Sequence, residues 1–253
     1  MHNVTPPMWC ASSGVEVKLG IMQPYFFPYL GHFALIAHTD AWVVFDITQY
    51  TPKTWMSRNR VLHPKEGWNY VSVPLANSSI SIKTSEARLV DPINARQSIL
   101  GKLTHYRKAP YYRAVEALVK KAMADDDTSL VKLNVRGLSS VCEYLGLPFD
   151  YRICSELHLP LPETLPPGGW APAICAALGA SAYVNPIGGR DLFDPTDFEA
   201  GNIGLEFLSF EHPVYDTGNY KFESGLSILD VLMWNSPREV LEMLQQGSTL
   251  VSP

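Results

Sequence analysis

No stretch of this 253-residue sequence approaches the roughly 20 consecutive apolar residues that a bilayer span needs. The opening MHNVTPPMWCASSGVEV has neither a basic start nor a continuous apolar segment. Residues 1–16 therefore read as a disordered polar leader rather than a signal peptide, and a cytoplasmic protein without a membrane span is expected. Cysteine is sparse: Cys10, Cys142, Cys154 and Cys175 lie far apart with no CxxC pair, which argues against a disulfide framework or zinc site and for buried free thiols. The seven histidines form no HxH or HxxxH pair, so no metal and no other cofactor is expected. Positive charge is also scarce. With 20 Lys and Arg against 25 Asp and Glu, a net charge of −5 and no basic run, nucleic acid is excluded as the main partner, while a local basic site for one small anion stays compatible.

What is present is the material of a globular core. Hydrophobic residues make up 46% and charged residues 18%, enough for one large domain without covalent staples. VKLGIMQ predicts a buried strand at about residues 17 to 22, GHFALIAHT a short helix, and AWVVFDI, residues 41 to 47, a second buried strand. In such a βαβ unit ligands sit beyond the carboxyl ends of the parallel strands, here at the loops QPYFFPYLGH and DITQYTPKTWMSRNR. NYVSVPL, residues 69 to 75, and SISIKTSEARLV predict further strands. Asp91-Pro92 predicts the start of a helix running to about Tyr106, followed by helices near 109 to 124 and 128 to 145, the last closed by Gly146. YRICSEL, AYVNP and LEFLSFEH read as strands, WAPAICAALGA, GLSILDVLMWN and SPREVLEMLQQG as helices, with Ser236, Pro237 and Glu239 spaced as a capping box. The fold class expected is α/β, with a Rossmann-like βαβ start, a mostly parallel sheet, and a helical middle segment at about 91–147 inserted in a single domain over 17–253.

The first loop brings Gln23, Tyr25 and then Gly31-His32 to a helix mouth, where free N–H groups and the helix dipole favour phosphate or carboxylate. Its layout resembles the strand, HxGH, helix signature of nucleotidyltransferase-type Rossmann folds, with Tyr29 at the first histidine position. A core plug of prolines and aromatics is the structural alternative. The second loop carries Asp46, Gln49, Tyr50, Lys53, Trp55, Arg58, Asn59 and Arg60 within fifteen residues. Guanidinium forks suit anions and the aromatic faces suit stacking, whereas a solvated polar loop is the plain alternative. Both loops lie at one end of the same βαβ unit, which favours a site for a small, anionic molecule.

The string IMQPYFFPYLGHFALIAHTDAWVVFDITQYTPKTWMSRNRV resembles the N-terminal signature of the WbqC-like family, and YRKAPYY, Ser155-Glu156-Leu157, AYVNP, FEHPVYDTG and LSILDVL are similar to later pieces of it. The likeness spans about residues 17 to 233, with His32 where an aromatic is more usual. It implies an enzyme associated with surface-polysaccharide gene clusters. The implied reaction is acyl or aminoacyl transfer forming an amide on a nucleotide-linked amino sugar or similar amine, with a carrier-protein thioester as donor and an acyl carrier protein as partner. Matching positions are Gln23, Pro24, Gly31, Asp46, Gln49, Tyr50, Arg58, Asn59, Ser155, Glu156, Asn185, Gly189, His212, Tyr215 and Asp230.

Amide formation needs a base for the ammonium proton and donors for the developing oxyanion. His212, after a predicted strand, is the first candidate base and His32 its rival. Glu156 or Asp46 could orient an imidazole or hold the ammonium, and Ser155 completes the catalytic set. The turn Asn185, Gly189, Arg190 offers an anion site or a plain chain reversal, Tyr215 joins the substrate contacts, and Asp230 reads as a partner for a buried arginine. A thiol nucleophile, Cys154 with His212 or His158, competes with an inert buried cysteine. A non-catalytic nucleotide or carrier-protein binding module and a nucleotidyltransferase-like enzyme are the alternatives in other classes.

Overall fold

The computed structural model describes residues 16–253, so all but the last residue of the expected 1–16 leader lies outside the described residues. Strand β1 (Lys18–Met22), helix α1 (Leu30–Ala37) and strand β2 (Ala41–Val44) form the expected βαβ unit, with β1 and β2 parallel from Leu19 opposite Ala41 to Met22 opposite Val44. Strand alternation sends Leu19, Ile21 and Val43 into the apolar core on one face of the sheet and Trp42 and Val44 into the core on the other. Burying such a side chain stabilises by roughly 1.5–3 kcal/mol. Gly20 has a packing reason, because a Cβ there would meet the Trp42 ring at 2.5 Å. β2 stops at Val44, short of the expected residue 47, because the backbone at Asp46 leaves the sheet to accept the Ser85 N–H.

The second loop ends earlier than expected. Strand β3 (Arg58–Leu62) begins inside it and pairs antiparallel with β4 (Trp68–Ser72), Arg60 opposite Tyr70, as a two-stranded sheet apart from the parallel one. The strand expected at 69–75 thus joins a hairpin. SISIKTSEARLV forms no continuous strand: Ile80 faces solvent at 62% exposure, Thr84–Glu86 is a 3₁₀ turn, and only isolated bridges form at Lys83, Arg88 and Leu89. Helix α2 (Pro92–Lys102) opens on the Asp91 cap but ends before Tyr106, which sits in a 3₁₀ turn, Thr104–Lys108, with its ring turned into the core. Helices α3 (Tyr112–Ala122) and α4 (Leu130–Leu145) follow, α4 closed by Gly146 at φ 70°.

Next come β5 (Tyr151–Ile153), α5 (Trp170–Leu178), β6 (Ala182–Pro186), α6 (Pro195–Glu199), β7 (Gly204–Phe210), α7 (Ile228–Trp234), α8 (Pro237–Gln246) and β8 (Ser248–Val251). Helix α8 carries the expected Ser236–Glu239 capping box. Neither α6 nor β8 was expected; β8 is a short strand lying antiparallel on β7. The six-stranded order is β5-β2-β1-β6-β7-β8, parallel except at β8, so the chain builds outward from β1 and then crosses to its other side. The crevice at the carboxyl ends of β1 and β6 is the topological switch point, the usual ligand position in such sheets. The helical middle shares one apolar core with α1, α7 and α8.

Candidate functional site

Side chains from distant segments shape the loop after β1. Asn134 on α4 donates to the carbonyls of Pro24 (2.6 Å) and Met56 (2.8 Å), and Asn59 on β3 donates to those of Phe26 (3.1 Å) and Phe27 (2.9 Å). The Ser227 hydroxyl also donates to the Phe27 carbonyl, at 2.6 Å, and Phe27 itself sits at φ 37°. A buried carbonyl left without a donor costs about 1–3 kcal/mol, which accounts for two buried asparagines in an apolar setting. Asn59, expected to touch a ligand, is therefore chiefly a clamp.

Three cavities lie along the carboxyl edge of the sheet. At the switch point a cleft of about 380 Å³ is lined by Gln23, Tyr25, Thr48, Trp170 and Asn185, among others. Tyr25 also borders a second pocket of about 310 Å³, which holds Tyr29, Trp55, Asn59, Arg60 and His212. Past Thr48 and Trp170 a wider groove of about 760 Å³ contains Gln49, Ser155 and His158.

Alternation along β3 buries Asn59 and Val61 and leaves Arg58 and Arg60 less covered. The Arg60 guanidinium lies 5.4 Å from the Trp55 ring centre and 5.2 Å from that of Trp68, and the Arg58 guanidinium lies 4.3 Å from the Tyr70 ring centre. One nitrogen of each holds a backbone carbonyl, Arg60 that of Gly225 (3.2 Å) and Arg58 that of Lys53 (2.7 Å). Neither guanidinium meets a carboxylate among the described residues, so donors remain for an anion. Trp55 and Trp68, each 40% exposed, offer stacking faces beside Arg60.

His212 packs against Tyr29, ring centres 5.4 Å apart, and edge-on against Phe210 at 5.3 Å. Its ring nitrogens engage no hydrogen-bond partner among the described residues, and partial burial pulls its pKa below the usual histidine value. The shift favours the neutral form of the imidazole. His32 is different: it is enclosed by Tyr25, Phe33 and Trp42, both nitrogens lack partners among the described residues, and burial drives its pKa down to about 3. It is a core imidazole behind Tyr25. Gly31 is buried too; a Cβ there would meet the Tyr29 ring at 2.5 Å, so the helix mouth is covered by Tyr29.

Several other expected residues carry structure. Asp46 accepts the Ser155 N–H (2.9 Å) and hydroxyl (2.6 Å), tying the loop after β2 to the turn after β5. Burial raises the Asp46 pKa and these bonds oppose the rise. Glu156 is exposed, away from His212's pocket. Tyr50 is buried with its hydroxyl 3.3 Å from Ser57, the Gln49 amide holds the Ile80 carbonyl, and Lys53 stands at φ 59°. Asn185 accepts the Tyr183 hydroxyl (2.8 Å) and donates to the Pro186 carbonyl (2.9 Å), and a side chain at Gly189 would strike its amide. Arg190 is exposed, its guanidinium 6.0 Å from the Phe207 ring centre. Tyr215 donates to Asp230 at 2.6 Å, and the second donor to that carboxylate is Tyr106, not an arginine. Burial pushes the Cys154 thiol up to about 12.

The structure thus brings Tyr25, Trp55, Asn59, Arg60 and His212 together and sets Gln23 and Asn185 next door, but places His32, Ser155, Glu156 and Tyr215 elsewhere. Sequence reading missed Asn134, Trp68 and Trp170. Asn134 had a signal, a lone amide on the apolar face of α4. Among the described residues no His, Cys, Asp and Glu side chains cluster as a metal site, and no helix is long and apolar enough to cross a membrane.

The stretch from Gln23 to Glu242, which contains both loops and His212, matches the model of the WbqC-like protein family. The chain belongs to the WbqC-like protein family. A Mycobacterium tuberculosis relative named "Uncharacterized protein Rv1507c" is 26% identical over 228 residues, 85% of this chain and 92% of the relative. No solved structure matches this WbqC-like chain.

Proposed function

We propose that this WbqC-like protein is a cytoplasmic N-acyl- or aminoacyltransferase that forms an amide on the amine of an anionic small molecule, such as a nucleotide-linked amino sugar, using a carrier-protein thioester as donor. One observation carries the reading: His212, with unengaged nitrogens, shares a pocket with Arg60, and Tyr25 alone is common to that pocket and the cleft at the switch point. In the reaction, Arg60 holds the acceptor's anionic group while Trp55 stacks on it. The amine attacks the thioester carbonyl, the C–N bond forms, and the C–S bond breaks. His212 takes the ammonium proton and passes it to the departing thiolate. The Gln23 amide, free of hydrogen bonds among the described residues and lining the cleft, donates to the developing oxyanion.

The test is thiol release from acyl and aminoacyl thioesters of coenzyme A and of carrier protein, in the presence of a panel of nucleotide-linked amino sugars. His212→Ala should lower kcat by about 10²–10⁴, and Arg60→Ala should raise KM. Failure to bind any member of the panel or to consume any thioester would end this reading. No carboxylate orients His212 among the described residues, which favours a second reading, a non-catalytic binding module. Ligand binding that is indifferent to His212→Ala, without turnover, would establish it.

A further inference from the structure

A cavity of about 450 Å³ opens between the 3₁₀ turn Thr104–Lys108 and the loop tip at Gly218–Tyr220. It joins two motifs that amide formation leaves unused, YRKAPYY and the end of FEHPVYDTG. Three rings line it: Tyr220 lies 5.9 Å from Trp234 and 5.7 Å from His105 between ring centres. Gly218, at φ 60°, lets the loop tip pass over Trp234, whose ring would stand 3.4 Å from a Cβ there. The His105 imidazole bonds through Nδ1 to the Lys102 carbonyl at 2.9 Å, which fixes its plane.

The cavity's charge is one-sided. Arg107 and Lys108 line it, both exposed, and no acidic residue does, in a chain of net charge −5. Cations on the two helices that follow have carboxylate partners: Arg113 with Glu116, Lys121 with Glu143, Arg136 with Asp125. Arg107 and Lys108 have none among the described residues. A guanidinium and an ammonium that line the same aromatic recess match a phosphate joined to a flat ring.

We infer that this cavity is a second ligand site, for a phosphate ester bearing a planar ring, of the nucleoside 5′-monophosphate kind. The ring lies against Tyr220 and Trp234, and the phosphate meets Arg107 and Lys108. The inference stands apart from the proposed transferase reaction, because it uses none of that pocket's residues.

Calorimetric titration of the full chain with adenosine and uridine 5′-monophosphates, adenosine, and inorganic phosphate tests it. Both monophosphates should saturate the protein, with adenosine and phosphate each at least tenfold weaker. The exposed double variant Arg107→Ala/Lys108→Ala, checked for folding by circular dichroism, should weaken monophosphate binding tenfold or more. No saturable binding, phosphate binding as tightly as the monophosphates, or insensitivity to the double variant would each overturn the assignment.

Discussion

Replacing Asp230 with asparagine should change how the stability of the fold depends on pH. Asp230 is wholly buried on α7 and accepts the hydroxyls of Tyr106 and Tyr215, yet burial outweighs these bonds and lifts its pKa from 3.8 to about 6. A carboxyl whose pKa is higher in the folded than in the unfolded chain favours folding fully below the unfolded value, and that advantage is lost as pH rises through the folded value. At about 1.4 kcal/mol per tenfold change in proton affinity, the gap is worth about 3 kcal/mol. The wild-type curve alone does not isolate this term, because Asp127 and Asp194 are held below the usual carboxylate range by bonds to Ser129 and Thr196 and act in the opposite sense. Asp230→Asn removes one titration and keeps the shape. The unfolding free energy of the wild type minus that of the variant, from urea melts, should therefore fall by about 2 kcal/mol between about pH 4 and pH 8. A difference that stays flat across this range would refute the account of the buried carboxyl.

Asn134→Ala leaves the Pro24 and Met56 carbonyls without their donors. The expected loss is about 3 kcal/mol, read by circular dichroism as a fall in Tm of roughly 6–12 °C, and a loss below about 1 kcal/mol would contradict the clamp. Cys154, pushed up to about 12 by burial and then by the Asp46 carboxylate, should resist iodoacetamide in the folded protein near neutral pH and react quickly in urea, as followed by peptide mass spectrometry. Cys154→Ala should likewise keep any thiol-releasing activity; rapid labelling in the folded state, or lost turnover, would restore a covalent mechanism.

The parallel sheet was legible because its strands are short runs of β-branched and aromatic residues with turn residues behind them, as in AWVV and AYVNP. β3 was not, since RNRVL alternates two arginines with a buried asparagine, and only pairing with β4 makes that amide an inward residue. β8 was hidden for a related reason: STLV buries little and exists by edge pairing with β7. For the site, the two loops and the side chains of Arg60, Trp55 and His212 could be named from residue type. Their sorting could not. Whether an Asn, Ser or Asp faces a pocket or satisfies a buried backbone group depends on partners far along the chain, as Asp46 with Ser155 and Asn59 with Phe26 illustrate.

The clamps on the loop after β1 reach across 110 residues from Asn134 to Pro24 and 200 residues from Ser227 to Phe27. Contacts of such separation carry a loop-closure entropy that local preference does not. The carbonyls on either side of Tyr25 are therefore held in part by donors that only the helical middle and the C-terminal segment supply. A nascent or truncated chain ending before Ser227 would carry every residue of QPYFFPY and lack the shape. Whatever this edge binds, a chain cut before Ser227 should bind it more weakly than the full chain, because the donor that holds the Phe27 carbonyl is gone.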